Sequence, residues 1–343
     1  MKILIAAALL FVGSCANVRH SEKINNLKDS ITYKDKTVVE NYLTTITSKD
    51  LESIVVEVSS DKYEGRRTGE PGHNEVCNYI RQTYKDLKII PPATHTNYYQ
   101  KVPKDALPKQ LNDSQNIIAY IEGAEFPDEY IYISAHSDHE GIVNGQIYNG
   151  ADDNGSGTAA VLEMAEAFSL AVQDGHRPKR SIVFLHVTAE EVGLHGSRYY
   201  TENPVFPLNN AVATLNIDMI GRVDDRHIND ENYIYLIGSD KISTELDFIA
   251  QKANATFTNL SLDYKYNDDD DPNRYYYRSD HYNFAVKGIP VIFFFNGEHV
   301  DYTKPTDTAD KINYPLLQLR TQFIFATAWY IANSEERLKK EIL

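Results

Sequence analysis

Gly150-Ala-Asp-Asp-Asn-Gly-Ser-Gly157 and Thr188-Ala-Glu-Glu-Val-Gly-Leu194 decide the reading of this chain. The first stretch sets Asp152 and Asp153 in a glycine-rich loop that opens an apolar helical segment, Thr158 to Ala171. The second sets Glu190 and Glu191 just after an apolar run, Ser181-Ile-Val-Phe-Leu-His-Val187, which reads as a buried strand. Upstream, His136 and Asp138 close another apolar strand, and downstream Asp218 closes a third in Leu215-Asn-Ile-Asp-Met219. Carboxylates and an imidazole at the carboxyl ends of successive strands converge on one edge of a sheet, where open α/β folds place their sites. Such a carboxylate cluster repels itself, and a cation is the simplest neutraliser.

Strands and helices alternate from there in both directions. Helices are expected over Val38–Ser48, Leu51–Ser59, His73–Leu87, Thr158–Ala171, 240–254 and Tyr314–Ala332. Strands are expected over Asn116–Ile121, Glu129–Ser134, 181–187, 212–217, 232–237 and Ile289–Phe295, with a short helix begun by Ser279-Asp-His281. The alternation predicts a three-layer α/β/α sandwich around a mixed, mainly parallel sheet, in one domain over 36–343. Asn267-Asp-Asp-Asp-Asp-Pro-Asn-Arg274 reads as a solvated loop.

The first residues read differently. Met1-Lys2 is basic, and the apolar Ile3–Val12 is too short for a bilayer span of about 20 residues. Small residues directly before Cys15, in Leu10-Phe-Val-Gly-Ser-Cys15, resemble a bacterial lipobox. The expectation is a signal peptide over 1–14, acylation of Cys15, a polar tether over 15–35 and a place in the bacterial cell envelope. The second cysteine, Cys77, is then the only thiol left in the body and has no internal disulfide partner. A formal charge of −15 argues against nucleic acid or an anionic membrane surface as a partner.

The motifs resemble those of exported zinc aminopeptidases with co-catalytic metals, relatives of bacterial leucyl aminopeptidase, glutamate carboxypeptidase and glutaminyl cyclase. The resemblance runs in order through Ala135-His-Ser-Asp138, Gly150-Ala-Asp-Asp-Asn-Gly-Ser-Gly157, Ala189-Glu-Glu-Val-Gly-Leu194, Asn216-Ile-Asp-Met-Ile-Gly-Arg222, Arg278-Ser-Asp-His281 and Tyr302-Thr-Lys-Pro-Thr-Asp-Thr308. It implies a zinc-exopeptidase-like fold with His136 and Asp218 as terminal ligands of one zinc, Asp153 as the bridging carboxylate and Glu191 as ligand of the other. It further implies a cis peptide at Asp153–Asn154, Glu190 as general base, and Asp138 as the acceptor that fixes the His136 tautomer. Tyr276 is the candidate oxyanion donor. Asp152 reads as a helix cap, while His139 and His195 read as peripheral.

One position departs from the pattern. The family places its last ligand, a histidine, four residues before Asp307, and this chain has Thr303 there. A hydroxyl is a poor zinc ligand beside imidazole, so the fifth ligand is left to Thr303 or to His299 upstream. The expectation is one tight zinc at His136 and a weaker one at Glu191. The activity implied is removal of N-terminal residues from peptides with a free α-amine, held by the second metal position or a nearby carboxylate. A pyroglutamate-forming glutaminyl cyclase and a catalytically impaired binding relative are the alternatives.

Overall fold

The structure is a computed structural model that describes residues 20–342. The expected leader and the acylated Cys15 lie outside the described residues. Residues 20–30, within the span expected as a polar tether, are helical. The end of this segment joins the body because Ile31 is buried and the Tyr33 hydroxyl donates to Ala326 O at 2.8 Å.

The sheet has eight strands in the order β1-β2-β6-β3-β7-β10-β8-β9. They are β1 (Tyr99–Val102), β2 (Ser114–Ile121), β3 (Phe126–His136), β6 (Arg180–Val187), β7 (Ala211–Ile217), β8 (Tyr233–Ile237), β9 (Ser261–Asp263) and β10 (Val291–Phe295). A small hairpin of β4 (Gly141–Val143) and β5 (Gln146–Tyr148) stands apart from it. The central neighbours β6, β3, β7 and β10 run parallel, whereas β1, β2 and β8 pair antiparallel. This is the mixed, mainly parallel sheet that the alternation predicts. Every residue of β6, β7, β8 and β10 is buried, as befits strands covered on both faces.

Helices α1 (Lys36–Leu43), α2 (Ser48–Val58), α3 (Pro71–Asp86), α4 (Gly157–Gln173), α6 (Thr244–Phe257) and α8 (Tyr314–Asn333) contribute to the larger core on one face of the sheet. The shorter α5 (His195–Glu202) and α7 (His281–Ala285) pack with the second cluster, around Tyr132, Tyr200 and Phe284. α4 is apolar nearly all round because it lies between the sheet and α2, with only Glu166 and its C-terminal end reaching solvent. Arg320 is the buried cation of α8. Its guanidinium donates to the carbonyls of Ile220, Arg222 and Tyr233, so the closing helix fixes the loop that leaves β7.

The order of the parallel strands places the site. β3 lies between β6 and β7. The segments leaving the carboxyl ends of these three neighbours therefore meet, and they carry His136 to His139, Glu190 to Glu191, and Asp218.

Candidate metal centre

Asp153 stands at the middle of the cluster. Its Oδ1 lies 3.2 Å from His136 Nε2, and its Oδ2 lies 3.9 Å from His139 Nδ1. His136 Nε2 also lies 3.2 Å from Asp218 Oδ1, and His139 Nδ1 lies 2.6 Å from Glu191 Oε1. Two donor groups thus share one carboxylate: His136, Asp153 and Asp218 on one side, and His139, Asp153 and Glu191 on the other. Glu190 joins His136 and Glu191 in a third such grouping. Donors bound about 2.0–2.2 Å from a tetrahedral zinc stand roughly 3.3 Å apart, and the spacings around His136 fit that figure.

The loop that presents Asp153 is held by its main chain. The N–H groups of Asp152 and Asp153 donate to Asp307 Oδ2 at 3.0 and 3.1 Å, and the Asp153–Asn154 peptide is cis. The Asp152 carboxylate does not cap the helix. It accepts the Gly221 N–H at 2.7 Å and lies 3.1 Å from His299 Nε2. That contact turns His299 away from Glu191, into a buried network behind the loop. Thr303 is exposed, in a left-handed conformation (φ 52°). Neither expected source of the fifth ligand is brought to the metal centre.

Arg66, in the turn-rich segment before α3, lies fully beneath this loop. Its guanidinium donates to Ser137 O, Val58 O, Asn149 O and Gly150 O at 2.6 to 3.1 Å, which ties the end of β3 to the start of the Asp153 loop. No periodicity marks this residue in the sequence; an arginine among glycines is the only signal.

Asp138 is fully buried. Its Oδ2 accepts the Thr68 hydroxyl at 2.7 Å and its Oδ1 accepts the Glu190 N–H at 3.2 Å. The His136 Nδ1 hydrogen bond goes to the Asp138 main-chain carbonyl at 3.1 Å, with the carboxylate farther off at 3.8 Å. The expected tautomer-fixing acceptor is therefore on the right residue but is its carbonyl. Asp218 Oδ2 accepts the Ser279 hydroxyl at 2.7 Å, and the buried Asp280 accepts that of Ser197.

Burial and mutual repulsion push these acids up. Burial, then the charge of Glu191, raises Asp153 to about 6. Burial raises Glu191 to about 8, with Asp138 and Glu140 adding to it, and holds Glu190 well above the usual carboxylate range. Burial alone would pull His136 down, but the charges of Asp218 and Glu190 raise it well above its ordinary value. His139 is depressed to about 4, chiefly by burial. A cluster that must otherwise store protons on its carboxylates is one a divalent cation relieves.

A small cavity opens over the cluster. Asp153, Glu190, Glu191 and Asp218 form its acidic wall, and Met219, Tyr275, Phe293, Phe295 and Tyr302 its apolar wall, with Arg278 at the edge. Tyr276 is not part of it. The 3-10 turn Tyr275–Tyr277 directs Tyr275 inward, while the Tyr276 ring lies beside His281 and under Lys241 Nζ. The phenol that does face the acids is Tyr302. Burial, then the charge of Asp153, raises its pKa, and its hydroxyl accepts from Arg278 at 3.3 Å.

Residues 116–328 match peptidase family M28. The chain belongs to that family. Among curated relatives, leupeptin-inactivating enzyme 1 of Streptomyces exfoliatus is 34% identical over 197 residues, 57% of this chain and 38% of that protein. Aminopeptidase NAALADL1 of Rattus norvegicus is 36% identical over 112 residues, 32% of this chain, and the chain spans only 14% of its length. Among solved structures, the LapA aminopeptidase of Legionella pneumophila superposes with a TM-score of 0.69 at 20% identity, covering 90% of this chain and 77% of that one. Glutaminyl cyclase of Porphyromonas gingivalis superposes with a TM-score of 0.64 at 16% identity, covering 82% and 97%. At these identities the superpositions show the shared fold. Membership of M28 makes this cluster the candidate metal centre of a metallo-exopeptidase.

Proposed function

We propose that this chain is an exported, lipid-anchored zinc aminopeptidase that removes N-terminal residues from peptides. One observation carries the reading: the two oxygens of Asp153 address two separate donor groups, with Glu190 beside them on the acidic wall of one cavity. His136, Asp153 and Asp218 would hold the tighter zinc. Asp153 and Glu191 would hold the second, weaker ion. Zinc, when bound, supplies Lewis acidity toward the scissile carbonyl and toward water.

The protein's own groups do the rest. Glu190 takes the proton of the attacking water and delivers it to the leaving amine, a role that suits a carboxylate adjoining, and not committed to, the shared donor pair. The acidic wall attracts the substrate's free α-ammonium group. The apolar wall of Met219, Phe293 and Phe295 receives its first side chain, and the Tyr302 hydroxyl is placed to donate to the carbonyl oxygen as charge develops there. Donors on both sides of Asp153 favour peptide hydrolysis over the cyclase alternative, which keeps a single zinc.

The test is activity of purified protein on a panel of aminoacyl-arylamides, with and without chelator. Hydrolysis that chelator abolishes and zinc restores is expected. Turnover unaffected by chelator, or pyroglutamate formation alone, overturns the reading. Anchoring through Cys15 is tested separately: Cys15→Ser should move the protein from the membrane to the soluble fraction. Wild-type protein found soluble with another mature N-terminus overturns the anchor.

A further inference from the structure

We propose that His139 is the imidazole ligand of the second metal position, supplied from the end of β3 in place of the residue at 303. The inference rests on the metallopeptidase reading above and deepens it. Three independent features of the fold lead to it.

The first is donor geometry. His139 Nδ1, Glu191 Oε1 and Asp153 Oδ2 form a compact group on the side of Asp153 opposite His136. The Nδ1 to Oε1 contact of 2.6 Å is a hydrogen bond as it stands. A cation with donors roughly 3.3 Å apart replaces that proton by opening the pair by under an ångström. The second feature is that the ring is aimed. The His139 main-chain N–H donates to Arg66 O at 3.1 Å, and Arg67 and His139 form a parallel bridge. Arg66 itself grips the carbonyls of Ser137 and Gly150 on either side. The third is space. The imidazole lies against Gly150 (φ 56°), where a Cβ would stand 2.5 Å from His139 Cδ2. The glycine that opens the Asp153 loop therefore gives the ring its seat. The competing sources are turned elsewhere: His299 to Asp152, and Thr303 to solvent.

The two sites are unequal. His136 Nδ1 donates to the Asp138 carbonyl, whereas His139 Nε2 is buried with no hydrogen-bond partner among the described residues. An acceptor on the far nitrogen makes an imidazole a stronger ligand, and its loss costs about 10–100-fold in metal affinity. The His139 site is the one that empties first.

Metal counting on the full folded protein tests this. Wild type loaded with zinc and dialysed should hold about two ions per chain, the second released by a weak chelator. His139→Ala and the closer isostere His139→Asn should each hold about one, with melting of the metal-free protein as a check of folding. Cobalt absorption should show two environments in wild type and one of them lost in both variants. If His139→Asn keeps both ions at wild-type affinity, or wild type binds only one, the assignment of His139 fails while the metallopeptidase reading stands. If wild type binds no zinc, both fail.

Discussion

Asp307 holds Asp153 by the main chain: the Asp153 N–H donates to Asp307 Oδ2 at 3.1 Å. The same oxygen takes the Asp152 N–H, and the Ala151 N–H goes to the Asp307 carbonyl. With its amides committed there, the loop sends its two carboxylates in different directions, Asp152 toward Gly221 and His299, and Asp153 between the two histidines. Burial, then the charge of Asp152, lifts Asp307 to about 7. Asp307→Ala should leave the fold intact but loosen Asp153, lowering zinc affinity by about 10–100-fold, as for other groups that orient ligands. Competition with a zinc indicator dye reads this; unchanged affinity would show that the loop holds itself.

Glu190→Gln should cost about 10²–10⁴-fold in kcat, the range for a lost general base, with bound zinc unchanged. Its carboxylate lies on the cavity wall, while its N–H is fixed by Asp138, so the amide keeps the backbone in place. A variant retaining half its turnover on a good substrate, or one that loses zinc, contradicts the assignment.

Tyr302 and Tyr276 make a paired comparison. Tyr302→Phe should lower kcat by about 10–10³-fold with little change in KM, as expected for a donor to developing charge. Tyr276→Phe should leave kcat within about twofold, because its hydroxyl faces away from the cavity. Equal losses in both variants would favour a structural explanation for each.

The strand ends were legible because chemistry sits at a fixed place in this topology. Apolar runs of strand length followed directly by His136, Glu190 and Asp218 locate the edge of a parallel sheet without tertiary information. His139 was not legible. Whether the residue three beyond His136 points into the site depends on the turn leaving β3, on Arg66 beneath it and on the seat at Gly150, which come from distant segments. Position along a run of tyrosines points to Tyr276, but in the folded 3-10 turn Tyr275 lines the cavity while the Tyr276 ring packs beside His281. The helix over 20–30 is not legible because its polar surface carries little apolar periodicity; its continuation docks through Ile31 and Tyr33.

A last prediction concerns stability. Glu163 is buried in α4, and burial, then the charges of Glu166 and Asp50, raises its pKa to about 8 from an ordinary 4.5. Below about pH 4.5 the folded and unfolded chains both carry this proton, and the group contributes nothing to the pH dependence. Between there and about pH 8 the unfolded chain releases the proton while the folded chain keeps it, so stability falls as pH rises; above that the loss is constant. Glu163→Gln removes the titration while keeping an oxygen for the Thr47 main-chain hydrogen bond. The variant should match wild type near pH 4.5 and exceed it at pH 8.5 by on the order of a few kcal/mol. Urea unfolding at the two pH values measures the difference. A gain that is the same at both would mean that the carboxyl is not held protonated in the fold, and that its neighbours Asp50 and Glu166 do not act on it as charges.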